Sequence, residues 1–342
     1  MNTPLLSNGV GELSYSDTIP PSLLAYLIKE AVPQATSGAF GDFLFQEIAT
    51  PEAVVWYNNY RLLQPRHFIN LGRLPKIELQ FSLNNSFSYH GEGLGRRELR
   101  DGSFNLLYMP KVNSEIVFLP GRVYTTFDIY LTPLLMRKLL HFYPILGVFL
   151  EKIGRREVAM LCPVNQLTTT PMSKIIDDIL DNPFKEGGHG FYVATKVSEL
   201  LLTVLERITS HPVLKQVYFR EEEIQLIYEA KDELLKNLDQ PMTLQLLSRK
   251  VGLNRHKLKI GFQEFYGTTV TVYRLHARMK EAKLQLLTTD LSIEDIGYNT
   301  AYTNAQHFSK AYKKYYGHTP ARVRKDRDNE SRGDEEKGVD AA

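Results

Sequence analysis

Three kinds of chemistry can be tested against residue types and their spacing. Metal binding needs several His, Cys or carboxylate side chains that converge. The nine histidines are scattered, no His-x-His pair occurs, and only His67 and His90 fall in the β-rich part of the chain. Nucleophilic catalysis needs a nucleophile held against a base, yet no Gly-x-Ser-x-Gly turn, phosphate-cradling Gly loop or Cys–His pairing stands out. The single cysteine, Cys162, excludes an internal disulfide and any multi-Cys zinc site. An enzyme on the β-rich segment, such as a cupin-type metal enzyme, is therefore the least favoured reading, and no catalytic residue, metal or cofactor is assigned. The third chemistry is base reading by long polar side chains on a helix. Two sets have the right types: Arg255, His256, Lys257, Lys259 and Gln263, then Asn304, Gln306, Lys310, Lys313 and Lys314. Lysine can bond guanine O6 and N7, Gln or Asn can bond an adenine edge, and Ile260 could meet a thymine methyl.

The elements that must hold these sets form a repeat. Residues 243–267 and 292–317 resemble each other, with Leu258 matching Phe308, Phe262 matching Tyr312, Phe265 matching Tyr315 and Gly267 matching Gly317. Each copy reads as a short helix, a tight turn and a second helix with apolar residues at i, i+4 and i+7. That is a helix-turn-helix, whose second helix enters the DNA major groove. In the first copy Gly252 supplies the positive φ of the turn and Asn254 caps the second helix. In the second, Ser292 caps and Asp295 completes a capping box, and one extra residue separates turn from helix. Inward-facing Leu258, Phe262 and Phe265, and later Phe308 and Tyr312, leave the polar sets on the groove side. Asn304, Lys313 and Lys314 suit phosphates, and the turns beginning at Thr243 and Ser292 offer backbone N–H groups to them. Thr269–Leu287 reads as one connecting helix. For both second helices to enter successive grooves they must lie about 34 Å apart.

From about Ile224 to Lys325 the chain resembles the AraC/XylS-type DNA-binding domain of bacterial transcription regulators. The match is carried by Leu244, Leu247, Val251-Gly252-Leu253, Leu258, Phe262, Gly267, Tyr273, Arg278, Ala282, Leu286-Leu287, Ser292 to Ile296, Phe308 to Lys310, Tyr312 to Lys314, Gly317 and Thr319-Pro320. The resemblance implies base contacts at His256, Lys259 and Ile260, and at Gln306 and Lys310. It also implies a ligand sensor ahead of the domain, RNA polymerase as a partner, and activation as the commoner mode, with repression open. Leu258-Lys-Ile-Gly-Phe262 and Gly267 to Tyr273 look most like the PchR branch, whose members respond to ferric siderophores. Two departures stand out. Ala301-Tyr302 replaces the usual Gly-Phe of the second turn, and Ser248 replaces Ala. Ala at a φ > 0 position costs roughly 1 kcal/mol.

Charge agrees only when read by segment. The 342 residues carry 41 bases and 39 acids, a formal +2. Residues 224–327 hold 18 bases and 10 acids, a net +8, against −2 for 1–223 and −4 for 328–342. A basic module of this size points to an anionic partner. Composition suggests three parts: 1–215, a sensing or dimerisation domain; 216–327, the DNA-binding domain; and 328–342, a disordered acidic tail.

The fold class expected is α+β, an N-terminal β-rich sandwich or small barrel with helices, followed by an all-α double helix-turn-helix. Short aromatic and β-branched runs, such as Val54 to Tyr57, Ile77 to Phe81 and Phe127 to Leu131, alternate with Gly- and Asn-bearing turns over 39–131. An amphipathic helix is expected at Pro21–Val32 and another from Thr132. The long helix at 190–210 carries the stripe Val193, Val197, Leu200, Leu201, Val204, Leu205 and Ile208, which suits packing on the β-domain or a homodimer seam. Trp56, Tyr57, Tyr60, Tyr108 and Tyr124 are candidates to line a small-molecule pocket, with Arg73 or Arg122 toward an anionic ligand. A DNA-bound scaffold that senses nothing is the alternative. With no secretory leader and no bilayer-length apolar run, the expected location is cytoplasmic, with no membrane partner.

Overall fold

The computed structural model describes residues 6–7, 13–72, 75–184, 187–210, 219–240 and 242–339. Arg73 lies outside them. The chain divides into two compact units, Met1–Leu214 and Lys215–Ala342.

The first unit is an antiparallel β-sandwich with helices on one outer face. Its strands are β1 (Leu6–Ser7), β2 (Val32–Gly38), β3 (Gly41–Ala49), β4 (Ala53–Leu62), β5 (Arg66–Gly72), β6 (Lys76–Asn84), β7 (Phe87–Gly91), β8 (Gly95–Leu99), β9 (Ser103–Met109), β10 (Val112–Phe118), β11 (Val123–Leu131), β12 (Ala159–Met160) and β13 (Gln166–Leu167). The smaller sheet has the order β1-β5-β10-β7-β8, and the larger β12-β9-β6-β11-β4-β3-β2 with β13 beside β9. Between the sheets lie Phe43, Trp56, Tyr60 and Tyr124 of the larger and Phe68, Phe87 and Phe118 of the smaller. Phe43 meets Phe68 with ring centroids 4.9 Å apart, and Phe118 meets Tyr124 at 4.8 Å. On the larger sheet's other face, Val55, Leu79, Leu106 and Ile129 pack against the helices α1 (Pro133–Leu140), α2 (Leu146–Gly154), α3 (Thr170–Leu180) and α4 (Gly187–Ser210). The larger sheet is thus covered on both faces, which is why β9 is buried at every position.

Three expectations change. The helix read at Pro21–Val32 is a short 3-10 turn, Pro21–Tyr26, and Val32 already begins β2. Gln46 decides this: its Oε1 accepts from the Ile28 N–H and its Nε2 donates to the Tyr26 carbonyl, so the backbone bonds to β3 instead of continuing a helix. The apolar stripe of α4 is buried within its own unit, none of its residues more than 8% exposed. A homodimer seam through those residues is therefore closed, while Phe191 and Leu202 mark the helix's exposed side. The last helix runs through Val339, into the segment whose composition reads as a disordered tail. Its entry is pinned by Arg327, which bonds the Thr289 carbonyl and pairs with Asp290 and Asp328.

The second unit is all helical: α5 (Glu221–Lys236), α6 (Leu244–Val251), α7 (Arg255–Tyr266), α8 (Val270–Thr288), α9 (Ile293–Asn299), α10 (Ala305–Tyr316) and α11 (Pro320–Val339). Helix α8 contacts α5 and α7 as well as α9 and α11, so it is shared by two small bundles.

Candidate nucleic-acid interface

The first bundle builds a steep corner from few residues. Thr243 caps α6, its hydroxyl accepting from the Leu246 N–H. Gly252 ends the helix at φ 70°, and the Leu253 N–H then bonds back to the Ser248 carbonyl at 3.1 Å. Asn254 starts α7 by accepting from the His256 N–H at 2.8 Å. Leu247, Leu253, Leu258 and Phe262 fill the interior. Ser248 fits because its hydroxyl donates to the Gln245 carbonyl. Gly261 is required by close packing: a Cβ there would lie 2.8 Å from Cγ1 of Ile227 on α5.

The second bundle repeats the corner with one strained residue. Ser292 and Asp295 form the expected capping box. Ala301 takes the left-handed conformation at φ 60°, as Gly252 does in the first copy. The Tyr302 N–H bonds the Gly297 carbonyl, and the Tyr302 ring packs 5.6 Å from that of Phe308. Asn304 caps α10, so the extra residue lies between the left-handed position and the cap. Met279, Ala282 and Leu286 of α8 close this core with Ile296, Phe308 and Tyr312. Tyr315 also bonds Nδ1 of His276 on α8 at 2.7 Å, which ties α10 to the connector.

Two helix faces are left for a ligand. Helix α7 exposes Arg255, His256, Lys259 and Gln263, and α10 exposes Gln306, His307, Lys310, Lys313 and Lys314. Not every expected residue joins them. Lys257 is half-buried and ion-paired with Glu223 of α5, holding that carboxyl below its ordinary range. Asn304 is exposed, but its side-chain oxygen accepts from the His307 N–H, which makes it a cap before it is a phosphate contact. Thr243 and Ser292 likewise use their side chains as caps, leaving only backbone N–H groups for phosphates. The first turn of α6 carries no acid, whereas that of α9 carries Glu294 and Asp295. Negative charge there repels phosphate, so the two N-termini are not equivalent anion sites. Several bases face inward as well. Arg274 and Arg278 donate to the Asn237 and Leu238 carbonyls just past α5, and burial pulls the Arg274 guanidinium down to about 10.

The aromatic candidates in the first unit do not converge. Trp56, Tyr60 and Tyr124 lie between the sheets, while Tyr108 is buried on the helix-covered face and Tyr57 packs at its margin. Arg122 is exposed. The Tyr124 hydroxyl donates to the Leu119 carbonyl and accepts from its N–H, a strand-end brace. Sequence reading missed a buried polar group in the same sandwich: Lys76, Glu78, Asn58 and Asp128, none more than 8% exposed. Its signal was present as polar residues at alternate positions of β6, Lys76, Glu78 and Gln80.

The corner geometry, the doubled unit and the shared central helix define a helix-turn-helix protein. Residues 247–326 match the family model described as "Helix-turn-helix domain". The chain is 31% identical over 161 residues to the HTH-type transcriptional regulator ArgR of Pseudomonas aeruginosa, covering 42% of this chain and 43% of that one. It is 24% identical over 147 residues to the transcriptional activator NphR of a Rhodococcus species, covering 43% and 42%. The crystal structure of an AraC-type DNA-binding domain-containing regulator from Chromobacterium violaceum aligns at 28% identity over 30% of this chain and 92% of that one, with a TM-score of 0.29. Residues 247–326 of the C-terminal unit thus match a helix-turn-helix domain, and the relatives that share the segment are named as transcription regulators. The match spans about two-fifths of these curated relatives. Their names lend no support to the siderophore-responsive branch.

Proposed function

We propose that the protein is a sequence-specific DNA-binding transcription regulator that couples a small-molecule signal, taken up by the sandwich unit, to promoter binding. The observation that carries the reading is the pair of exposed polar faces on α7 and α10, set on one continuous connector helix. Arg255, His256, Lys259 and Gln263 read bases in one half-site, and Gln306 and Lys310 in the other. Lys313, Lys314 and the α6 N-terminus grip phosphates. The relative named a transcriptional activator supports activation, which makes RNA polymerase a partner.

Genome-wide mapping of bound sites with the full chain tests this. The wild type is expected to enrich a discrete set of promoters sharing a two-part motif. Gel-shift titration on one such promoter at fixed salt then separates the two faces. Lys310→Ala weakens binding, and Lys259→Ala relaxes base preference at one half-site, each mismatch or lost contact being worth about 1–3 kcal/mol. Equal affinities for wild type and both variants would overturn the assignment.

A further inference from the structure

The sandwich contains a small cleft between its two sheets, lined by Glu78 and Gln80 of β6, Phe87 and Tyr89 of β7, Leu107 and Met109 of β9, and Ser114 and Ile116 of β10. Glu78 is 6% exposed, and the charge that acts on its carboxylate is that of Lys76, two residues along β6. Behind it lies a second buried acid, Asp128. Its Oδ2 accepts from Asn58 Nδ2 and Thr126 Oγ1, both at 2.8 Å, but its Oδ1 is unpartnered. The nearby cations do not neutralise the pair by contact. The Lys76 ammonium sits over the Tyr130 ring, 4.1 Å from its centroid, and Arg97 Nε donates to the Leu94 carbonyl. Burial pushes both carboxyls above their ordinary values, and for Asp128 the charge of Glu78 adds to the rise. Buried charges are normally paired, because an unpaired one forfeits its hydration for nothing. Here one acid has only the offset charge of Lys76 beside it and faces a cavity.

We propose that this cleft is the sensor's ligand site and that it takes a small organic cation, an ammonium or guanidinium head group, on the Glu78 carboxylate. The proposal rests on the sensor reading above and names its ligand class. Size agrees: the cavity is about 50 Å³. At roughly 10–15 Å³ per water-sized occupant, it holds about three to five heavy atoms, room for the four of a guanidinium, with the ligand's remainder leaving through the mouth. The walls agree as well. Phe87 and Tyr89 offer aromatic surface, which attracts cations and excludes water, and Ser114 and Gln80 supply further acceptors.

The test uses the full-length chain and four probes built on a four-carbon backbone: putrescine, agmatine, 1,4-butanediol and succinate. Calorimetric titration and thermal shift should show binding of the two cations, with a raised unfolding midpoint. The diol and the dianion should give neither. Glu78→Gln, nearly isosteric, should weaken cation binding about thirtyfold or more, because it removes one partner of a desolvated charge pair. No binding of either cation to the wild type overturns the proposal without reference to any variant. So does equal binding of 1,4-butanediol, preferred binding of succinate, or undiminished binding to a folded Glu78→Gln. The sensor reading fails separately. If a cation binds but changes promoter affinity no more in the wild type than in Glu78→Gln at the same salt, the cleft is a cation site and not a sensor.

Discussion

At the scale of single residues, the second corner holds the clearest anomaly. Ala301 sits at φ 60° where its counterpart in the first copy is Gly252 at φ 70°. A Cβ in the left-handed region crowds the following carbonyl and costs about 1–2 kcal/mol. Glycine removes that cost and returns part of it as unfolded-chain entropy. Ala301→Gly is therefore expected to stabilise the helical unit by about 1 kcal/mol net, seen as a higher urea midpoint for loss of helical circular dichroism at unchanged slope. A lower midpoint would mean the turn is not held in that conformation.

Among elements, α7 depends on an approach that only glycine permits. Gly261 faces Ile227 of α5, whose Cγ1 lies 2.8 Å from where a Cβ would be. Adding that methyl forces an off-rotamer Ile or a displaced helix, and overpacking of this kind costs about 1–3 kcal/mol. Gly261→Ala should destabilise the unit by that amount. Combined with Ile227→Ala it should cost less than the sum of the single changes, because the new methyl occupies the vacated space. Additive effects in a double-mutant cycle would show that the two helices do not meet there. Strand pattern teaches the opposite lesson. Alternation in Ile77 to Phe81 placed that strand correctly, but the apolar positions face the helices and the polar ones the second sheet. A half-buried strand and a strand buried on both sides share the same period of two. Only the packing of β5, β7 and β10 over that face tells them apart.

For the molecule as a whole, charge is the property that the fold redistributes. The +8 of residues 224–327 overstates what DNA would meet. Lys250 and Lys257 are paired with α5 acids, Arg274 and Arg278 cap carbonyls, and Arg327 binds Asp290. The exposed basic side chains of α7 and α10 are Arg255, Lys259, Lys310, Lys313 and Lys314. Salt dependence of binding counts phosphates neutralised, with a slope of about −0.9 per phosphate on B-DNA. With Lys313 and Lys314 on phosphates, the full chain should then give a log–log slope near −2, plus what the α6 N-terminus adds, and Lys313→Ala should make it shallower by about one. A slope near −10 would mean that the inward bases also reach DNA.

The doubled corner was legible from sequence because it depends on local chemistry. Gly252, Asn254, Ser292 with Asp295, and the apolar i, i+4, i+7 spacing each act within a few residues, and their roles in the fold are those their types suggest. The sandwich was legible as an architecture, through strands and turns of the right length. What sequence could not decide was which face of each element meets which partner. The α4 stripe suited a dimer seam or an internal core equally, since burial free energy depends on apolar area and not on whose area covers it. Lys257 read as a groove residue until Glu223 was placed opposite it, 34 positions away. Nothing in the period of two of its strand shows that Glu78 is buried; the second sheet that covers it does. Long-range contacts set burial, and burial sets what a charged group can do.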